Sequence, residues 1–226
     1  MIRAVVFDMF ETLITHYHEQ GPLYFSSDMA ADANVPVEAF RATWRKTEPD
    51  RSTGKLSLEE VLTHILQEHG VYSVSLLAHM IARRVHIAEE CFCHLHPEIL
   101  PLLEELRKRD LAIGLISNCF SEEASVIRKS KLFPYFDAVT LSYEVGCKKP
   151  DPNIYHHCLK NLGVSPAETL YIGDGGSREL EVARSLGMTA LQACWYLKEN
   201  TTQPSKRNSG FPQLEKPLDV LHYFNF

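Results

Sequence analysis

Three apolar runs, each stopping at small polar or acidic residues, constrain this 226-residue chain more than any other feature. Ala4-Val5-Val6-Phe7 ends at Asp8, Leu111-Ala112-Ile113-Gly114-Leu115-Ile116 at Ser117-Asn118, and Leu170-Tyr171-Ile172-Gly173 at Asp174. Short, nearly continuous apolar runs of this kind read as strands buried on both faces of a parallel sheet. In open sheets of that type, ligands bind beyond the carboxyl ends of the strands. One aspartate after one strand is commonly a turn former or helix cap. Its recurrence, with Ser117 and Asp174 expected at the same edge as Asp8, points to a site.

Further residues belong with these. In Gly146-Cys147-Lys148-Lys149-Pro150-Asp151-Pro152, Pro150 biases Lys149 toward an extended backbone. Asp151 and Pro152 read as the cap and first residue of a helix closed by Gly163. A lysine held between fixed turns is well placed to meet an anion. Ser121-Glu122-Glu123 reads as a helix start, so Ser117 and the backbone amides of Asn118 and Cys119 can face an anion. Glu179 opens the helix after Gly173-Asp174-Gly175-Gly176, either as an acid complementing the helix dipole or as a metal ligand. Carboxylates converging on one edge repel unless a cation lies between them. Hard oxygen donors favour Mg²⁺, and a lysine with backbone amides beside it suits an oxyanion.

Asp8-Met9-Phe10-Glu11-Thr12-Leu13, Ser117-Asn118, Lys149-Pro150-Asp151-Pro152, and Gly173-Asp174 with Glu179 resemble, in order, the four motifs of the haloacid dehalogenase superfamily of hydrolases. The resemblance covers nearly the whole chain. It implies an α/β fold: a Rossmann-like parallel sheet flanked by helices, with an inserted α-helical cap. The core would comprise residues 1–14 and 92–226, and the cap residues 15–91. By the same resemblance Asp8 is the nucleophile and forms an aspartyl intermediate. Ser117 and Asn118 bind the phosphate-like group and Lys149 stabilises its charge. Mg²⁺ is held by Asp8, the backbone carbonyl of Phe10 and Asp174, with Glu179 as a second acidic residue. The implied activity is a Mg²⁺-dependent phosphatase acting on a small phosphorylated metabolite.

One position departs from that pattern. Most phosphatases of the superfamily carry an aspartate two residues after the nucleophile, to protonate the leaving oxygen and later activate water. Here it is Phe10, and Glu11 stands where glycine is common. Acid–base help is worth about 10²–10⁴-fold. Either Glu11, His16, His18 or a cap residue supplies the proton, or the leaving group needs none, or the reaction differs. An aromatic residue at this position resembles the metal-independent 2-haloacid dehalogenases, in which Arg41 would bind a carboxylate or halide. The Asp174 loop favours phosphate chemistry instead. A non-catalytic phosphate-binding protein is the third alternative.

Residues 16–90 carry helical periodicity, including apolar spacing over 37–44 and a capping box at Ser57-Leu58-Glu59-Glu60. Helices over 57–70 and 76–90 complete an expected four-helix cap. It offers Tyr24, Phe40, Arg41, Trp44 and Arg45 as candidate substrate contacts, with hinges at 13–21 and 94–97. A helix is expected over 97–109, a fifth strand over 189–193, a polar surface loop over 198–208, and a segment at 217–223 returning to the core. Net charge −6 without a basic block argues against nucleic acid. No apolar stretch reaches the roughly 20 residues of a membrane span. Met1-Ile2-Arg3 leads directly into a strand, leaving no room for a signal peptide. With six cysteines outside any disulfide pattern, a reduced cytoplasmic protein is expected. Cys91-Phe92-Cys93-His94-Leu95-His96 lacks the second ligand pair of a zinc site.

Overall fold

A computed structural model describes residues 1–16, 24–198 and 205–224. Strand β1 (Ala4–Phe7) is followed by helices α1 (Ser26–Asp32), α2 (Val37–Lys46), α3 (Glu48–Ser52), α4 (Leu58–Glu68) and α5 (Val74–Glu90). The chain then runs through α6 (Ile99–Lys108), β2 (Ala112–Ser117), α7 (Ser121–Lys129), β3 (Ala138–Leu141), α8 (Ser142–Val145) and α9 (Pro152–Leu162). It finishes with β4 (Thr169–Gly173), α10 (Glu179–Ser185), β5 (Thr189–Ala193) and β6 (Gln213–Leu214).

The six strands form one parallel sheet in the order β3-β2-β1-β4-β5-β6. Strand β1 lies at the centre, with Phe7 beside Leu115 of β2 and Ile172 of β4. Because the chain builds outward from β1 to β3 and then crosses to β4, the order reverses between β1 and β4. A crevice opens at such a reversal beyond the strand ends. Asp8 and Asp174 follow those two strands.

Alternation along the strands divides the core between the two faces of the sheet. Val5, Phe7, Ile113, Leu115, Leu170 and Ile172 pack with α6 residues Ile99, Leu102, Leu103 and Leu106. Val6, Ile116 and Tyr171 pack on the other face with Ile154, Tyr155 and Cys158 of α9 and Leu180 of α10. Local signals set the flanking helices as expected. Asp151 accepts the Asn153 N–H at 2.9 Å, and Gly163 closes α9 with φ +65°. Segment 217–223 returns as a 3₁₀ turn that buries Val220.

Helices α1–α5 have an apolar core of their own, centred on Met29, Phe40, Val61, Leu62, Ile65, Leu66 and Met80. The sequence-based expectation of four helices is corrected to five among the described residues. Pro49 sits in the first turn of α3, where a helix tolerates its missing N–H, so α2 ends at Lys46 and α3 starts separately at Glu48. Ser57 caps α4 as predicted, exchanging hydrogen bonds with Glu60.

Several cationic or polar contacts join this helical layer to the sheet layer, among them Lys148 Nζ with Glu48 at 2.8 Å. Arg84 of α5 donates to Glu122 of α7 from Nε and Nη2 at 3.1 and 2.8 Å. Ser121 Oγ accepts the Leu58 N–H at 3.0 Å. Arg51 is buried between the Trp44 and Phe120 rings, its guanidinium carbon 3.6 and 4.5 Å from their centroids. Burial lowers the Arg51 pKa to about 10. Tyr196 ties both connections at the base of the layer, accepting the His96 N–H at 2.6 Å and donating to Leu13 O at 3.5 Å. The expected hinge segment 13–21 lies partly outside the described residues, and 94–97 falls between α5 and α6. Among the described residues no helix is long and apolar enough to cross a membrane.

Glu122 and Glu123 are both buried beside Arg84. Burial, then the neighbouring Glu122, raises the Glu123 pKa to about 7. Removing one partner of a buried pair leaves a stranded charge. Arg84→Ala is therefore expected to destabilise the protein by about 3–5 kcal/mol, read as a lower urea midpoint.

Candidate active site

The crevice at the strand reversal is a cavity of about 280 Å³, lined by Asp8, Phe10, Glu11, His16, Asn118, Lys149, Asp174, Gly176, Ser177, Glu179 and Ser205. Lys149 is its electrostatic centre. The ammonium lies 2.5 Å from Asp8 Oδ1 and 2.5 Å from Glu179 Oε2, with Tyr171 OH at 3.4 Å. Asn118 fixes the lysine from behind. Its Oδ1 accepts the Lys149 N–H at 2.8 Å and its Nδ2 donates to Lys149 O at 3.0 Å. A side-chain amide thus holds both backbone groups of the residue whose side chain meets the carboxylates.

Asp8 continues the sheet pattern, donating its N–H to Ile172 O at 2.9 Å. Its Oδ2 has a long contact of 3.5 Å with the Thr12 hydroxyl, leaving that oxygen lightly held. Asp174 Oδ1 accepts the Gly176 N–H at 3.0 Å. Glu179 is fully engaged: Oε2 also accepts from Tyr171 OH at 2.8 Å and Oε1 from Gly175 N at 3.1 Å. Gly173 is required for this arrangement, because a Cβ there would stand 2.0 Å from Glu179 Oε1 and 2.6 Å from Cδ.

Asp8, Asp174 and Glu179 can each offer an oxygen so that all three lie within 4.8 Å of one another. All are at most 5% exposed, and Lys149 is 4% exposed. Three carboxylates therefore share one ammonium out of water. Burial, opposed by Lys149 and reinforced by Asp174, raises the Asp8 pKa. Burial and then Asp8 push Glu179 up to about 8. Burial works against the Lys149 cation, yet Asp8 and Glu179 outweigh it, so its pKa is raised and it stays protonated. The donor set fits a divalent cation between Asp8 and Asp174, since such a charge reverses the penalty on the acids. Glu179, occupied by Lys149, Tyr171 and the Gly175 amide, is first of all a counter-ion to the lysine.

The predicted residues are thus largely brought together. Asp8, Phe10, Asn118, Lys149, Asp174 and Glu179 line one cavity. Ser117 stands at the same strand end but is fully buried and turns its hydroxyl to Asn118 O at 3.3 Å. Glu11 and His16 also line the cavity, and the Phe10 ring stacks on His16 at 4.3 Å. Glu11 closes the turn after Asp8, accepting from the Thr15 hydroxyl at 2.7 Å and the His16 N–H at 2.8 Å. Burial raises the Glu11 pKa to about 7. His18 lies outside the described residues.

The cap candidates serve other ends. Phe40 is in the helical core, Tyr24 donates to Asp32, Arg41 pairs with Glu38, Trp44 lies under Arg51, and Arg45 is exposed. Among the described residues Asp8, Asp174 and Glu179 are the one group arranged to hold a metal, and Cys91 to His96 form none. Sequence reasoning missed Tyr171, Gly173's steric role, and Ser205. The polar end of Tyr171 within an apolar strand was the available signal.

Residues 2–187 match the haloacid dehalogenase-like hydrolases. This chain belongs to that family. It is 34% identical over 196 residues to a phosphatase of Mycobacterium tuberculosis, covering 84% of this chain and 86% of that protein. It is 27% identical over 207 residues to the glyceraldehyde 3-phosphate phosphatase of Methanopyrus kandleri, covering 85% and 84% respectively. The crystal structure of a 2-haloacid dehalogenase from Pseudomonas syringae shares the fold, with a TM-score of 0.72 at 22% identity over 98% of this chain and 97% of that one.

Gly173→Ala is expected to displace the Glu179 carboxylate from Lys149. Overpacking of this kind costs about 1–3 kcal/mol, and calorimetry should show a lowered thermal midpoint.

Proposed function

We propose that this hydrolase is a Mg²⁺-dependent phosphatase of a small phosphorylated metabolite, working through an aspartyl-phosphate on Asp8. The observation that carries the reading is the imbalance of three buried carboxylates against one ammonium at the strand reversal. A metal-independent dehalogenase has no use for Asp174 beside Asp8, because an unneutralised second acid there opposes ionisation of the nucleophile. The two curated relatives are phosphatases, one of them named for a triose phosphate.

In this reading Asp8 attacks phosphorus through the oxygen that Thr12 holds only loosely. An oxygen–phosphorus bond forms to the carboxylate as the bond to the leaving oxygen breaks, that oxygen taking a proton from Glu11 or His16, which line the cavity and recover it from the water of the second step. Lys149 keeps the other Asp8 oxygen oriented and offers positive charge to the phosphoryl oxygens. Asn118 positions Lys149, and Glu179 with Tyr171 holds the ammonium in place. Asp8, the Phe10 carbonyl and Asp174 are the groups to hold Mg²⁺, which supplies charge neutralisation for the incoming phosphate. Water then cleaves the aspartyl-phosphate at phosphorus, releasing phosphate and restoring Asp8. Ser117, buried and bonded to the Asn118 carbonyl, supports the turn that carries Asn118.

Residues 15–91 act as the cap over this cavity and residues 1–14 and 92–226 as the core, a division supported by the separate apolar cluster of α1–α5. A reduced, cytoplasmic setting suits six free cysteines.

A panel of phosphomonoesters and short haloacids, assayed with Mg²⁺ and with chelator, tests the proposal. Phosphate release that disappears with chelator and in Asp8→Asn is the expected result. Lys149→Ala should lower kcat by roughly 10²–10³-fold, as loss of an oxyanion donor does. Halide release in chelator, or phosphoester binding without any turnover, would overturn the proposal in favour of a dehalogenase or a binding protein.

A further inference from the structure

Beyond β5 the chain folds back over the Asp174 loop, and a buried glutamine makes the join. Gln192 is fully buried. Its Nε2 donates to Asp174 O and to Lys206 O, each at 2.8 Å, and its Oε1 accepts the Asn208 N–H at 2.8 Å. A buried amide is costly unless paired, and every partner here is backbone. Gln192 thereby fixes the path of 206–208 relative to the metal-side loop.

The consequence falls on the preceding residue. Ser205 is 8% exposed, and its hydroxyl is buried with no hydrogen-bond partner among the described residues. It lines the same cavity as Asp8 and Asp174. A Cβ added to Gly176 would lie 3.2 Å from Asp174 Oδ1 and 3.3 Å from Ser205 Oγ. Both oxygens therefore crowd the unsubstituted face of Gly176, which puts the unpaired hydroxyl on the same side as the Asp174 carboxylate. Two such oxygens facing one cavity suit a hydrogen-bond donor between them. Mg²⁺ keeps several waters when carboxylates bind it, and a metal-bound water is a strong donor.

We propose that the Ser205 hydroxyl, held in place by Gln192, accepts a hydrogen bond from a water on the divalent cation at Asp8 and Asp174. Ser205 is thus a positioning residue of the metal site. This rests on the cation reading above. Ser205 and Gln192 both lie beyond residues 2–187, the span shared with the family, so this support is carried by the C-terminal part of this chain.

Isothermal titration of the full chain with Mg²⁺ alone, without substrate, tests the inference in the wild type, Ser205→Ala and Ser205→Thr. Outer-shell partners of metals typically contribute 10–100-fold in affinity. Ser205→Ala is expected to weaken Mg²⁺ binding by about tenfold, and Ser205→Thr, which keeps the hydroxyl, to restore it. Unchanged affinity in Ser205→Ala overturns the inference while leaving the phosphatase reading intact. A wild type that takes up no Mg²⁺ overturns the cation reading and this inference together.

Discussion

The contact on which the site depends is the Lys149 ammonium between Asp8 and Glu179, all three out of water. A buried lysine without partners would shed its proton, and a buried carboxylate without partners would take one up. Paired, the lysine keeps its proton, while burial and the neighbouring acids still raise the pKa of Asp8 and Glu179, and Asp174 leaves the cluster short of positive charge. The same geometry therefore explains why the lysine stays protonated and why the cavity has the donor set for a cation. Among the described residues no other group of acids is arranged to hold a metal.

Much of the surrounding structure serves to hold that lysine. Asn118 grips its backbone, Tyr171 and the Gly175 amide hold its counter-ion, and Gly173 is small enough to let Glu179 approach. These groups come from β2, β4 and the loops that follow, so the sheet register sets their spacing. The helical layer is anchored to the same end of the sheet by Arg84, Arg51 and Ser121. Its link to Phe120 lies two residues from Asn118, so the layer and the lysine clamp share one loop.

The motif residues were legible because each follows an apolar run or a fixed turn, and the parallel register carries such positions to one edge. Gly163, Asp151 and Ser57 were legible for a similar reason: caps and turns are local. Strand β6 was harder to see because it is only two residues long. Tyr171 was read as core, and by ring it is; only the opposite face of β4 shows that its hydroxyl reaches Glu179. Phe40 and Trp44, attractive as substrate contacts by type, are absorbed by helix packing and by the stacked Arg51. The segment 198–208 was read as surface loop from its polarity. In the described part, 205–208 is pinned by Gln192.

Order along the chain determined the strand ends, the acids and lysine placed after them, the helix caps and the family, because these rest on local pattern and on motif spacing. Tertiary structure decided which oxygens Lys149 meets, that Glu179 answers Lys149, that Ser117 turns to the Asn118 carbonyl, and that Ser205 lies beside the Asp174 loop. Those outcomes depend on distances between strands and loops remote in sequence. Burial then gives each such contact its electrostatic weight.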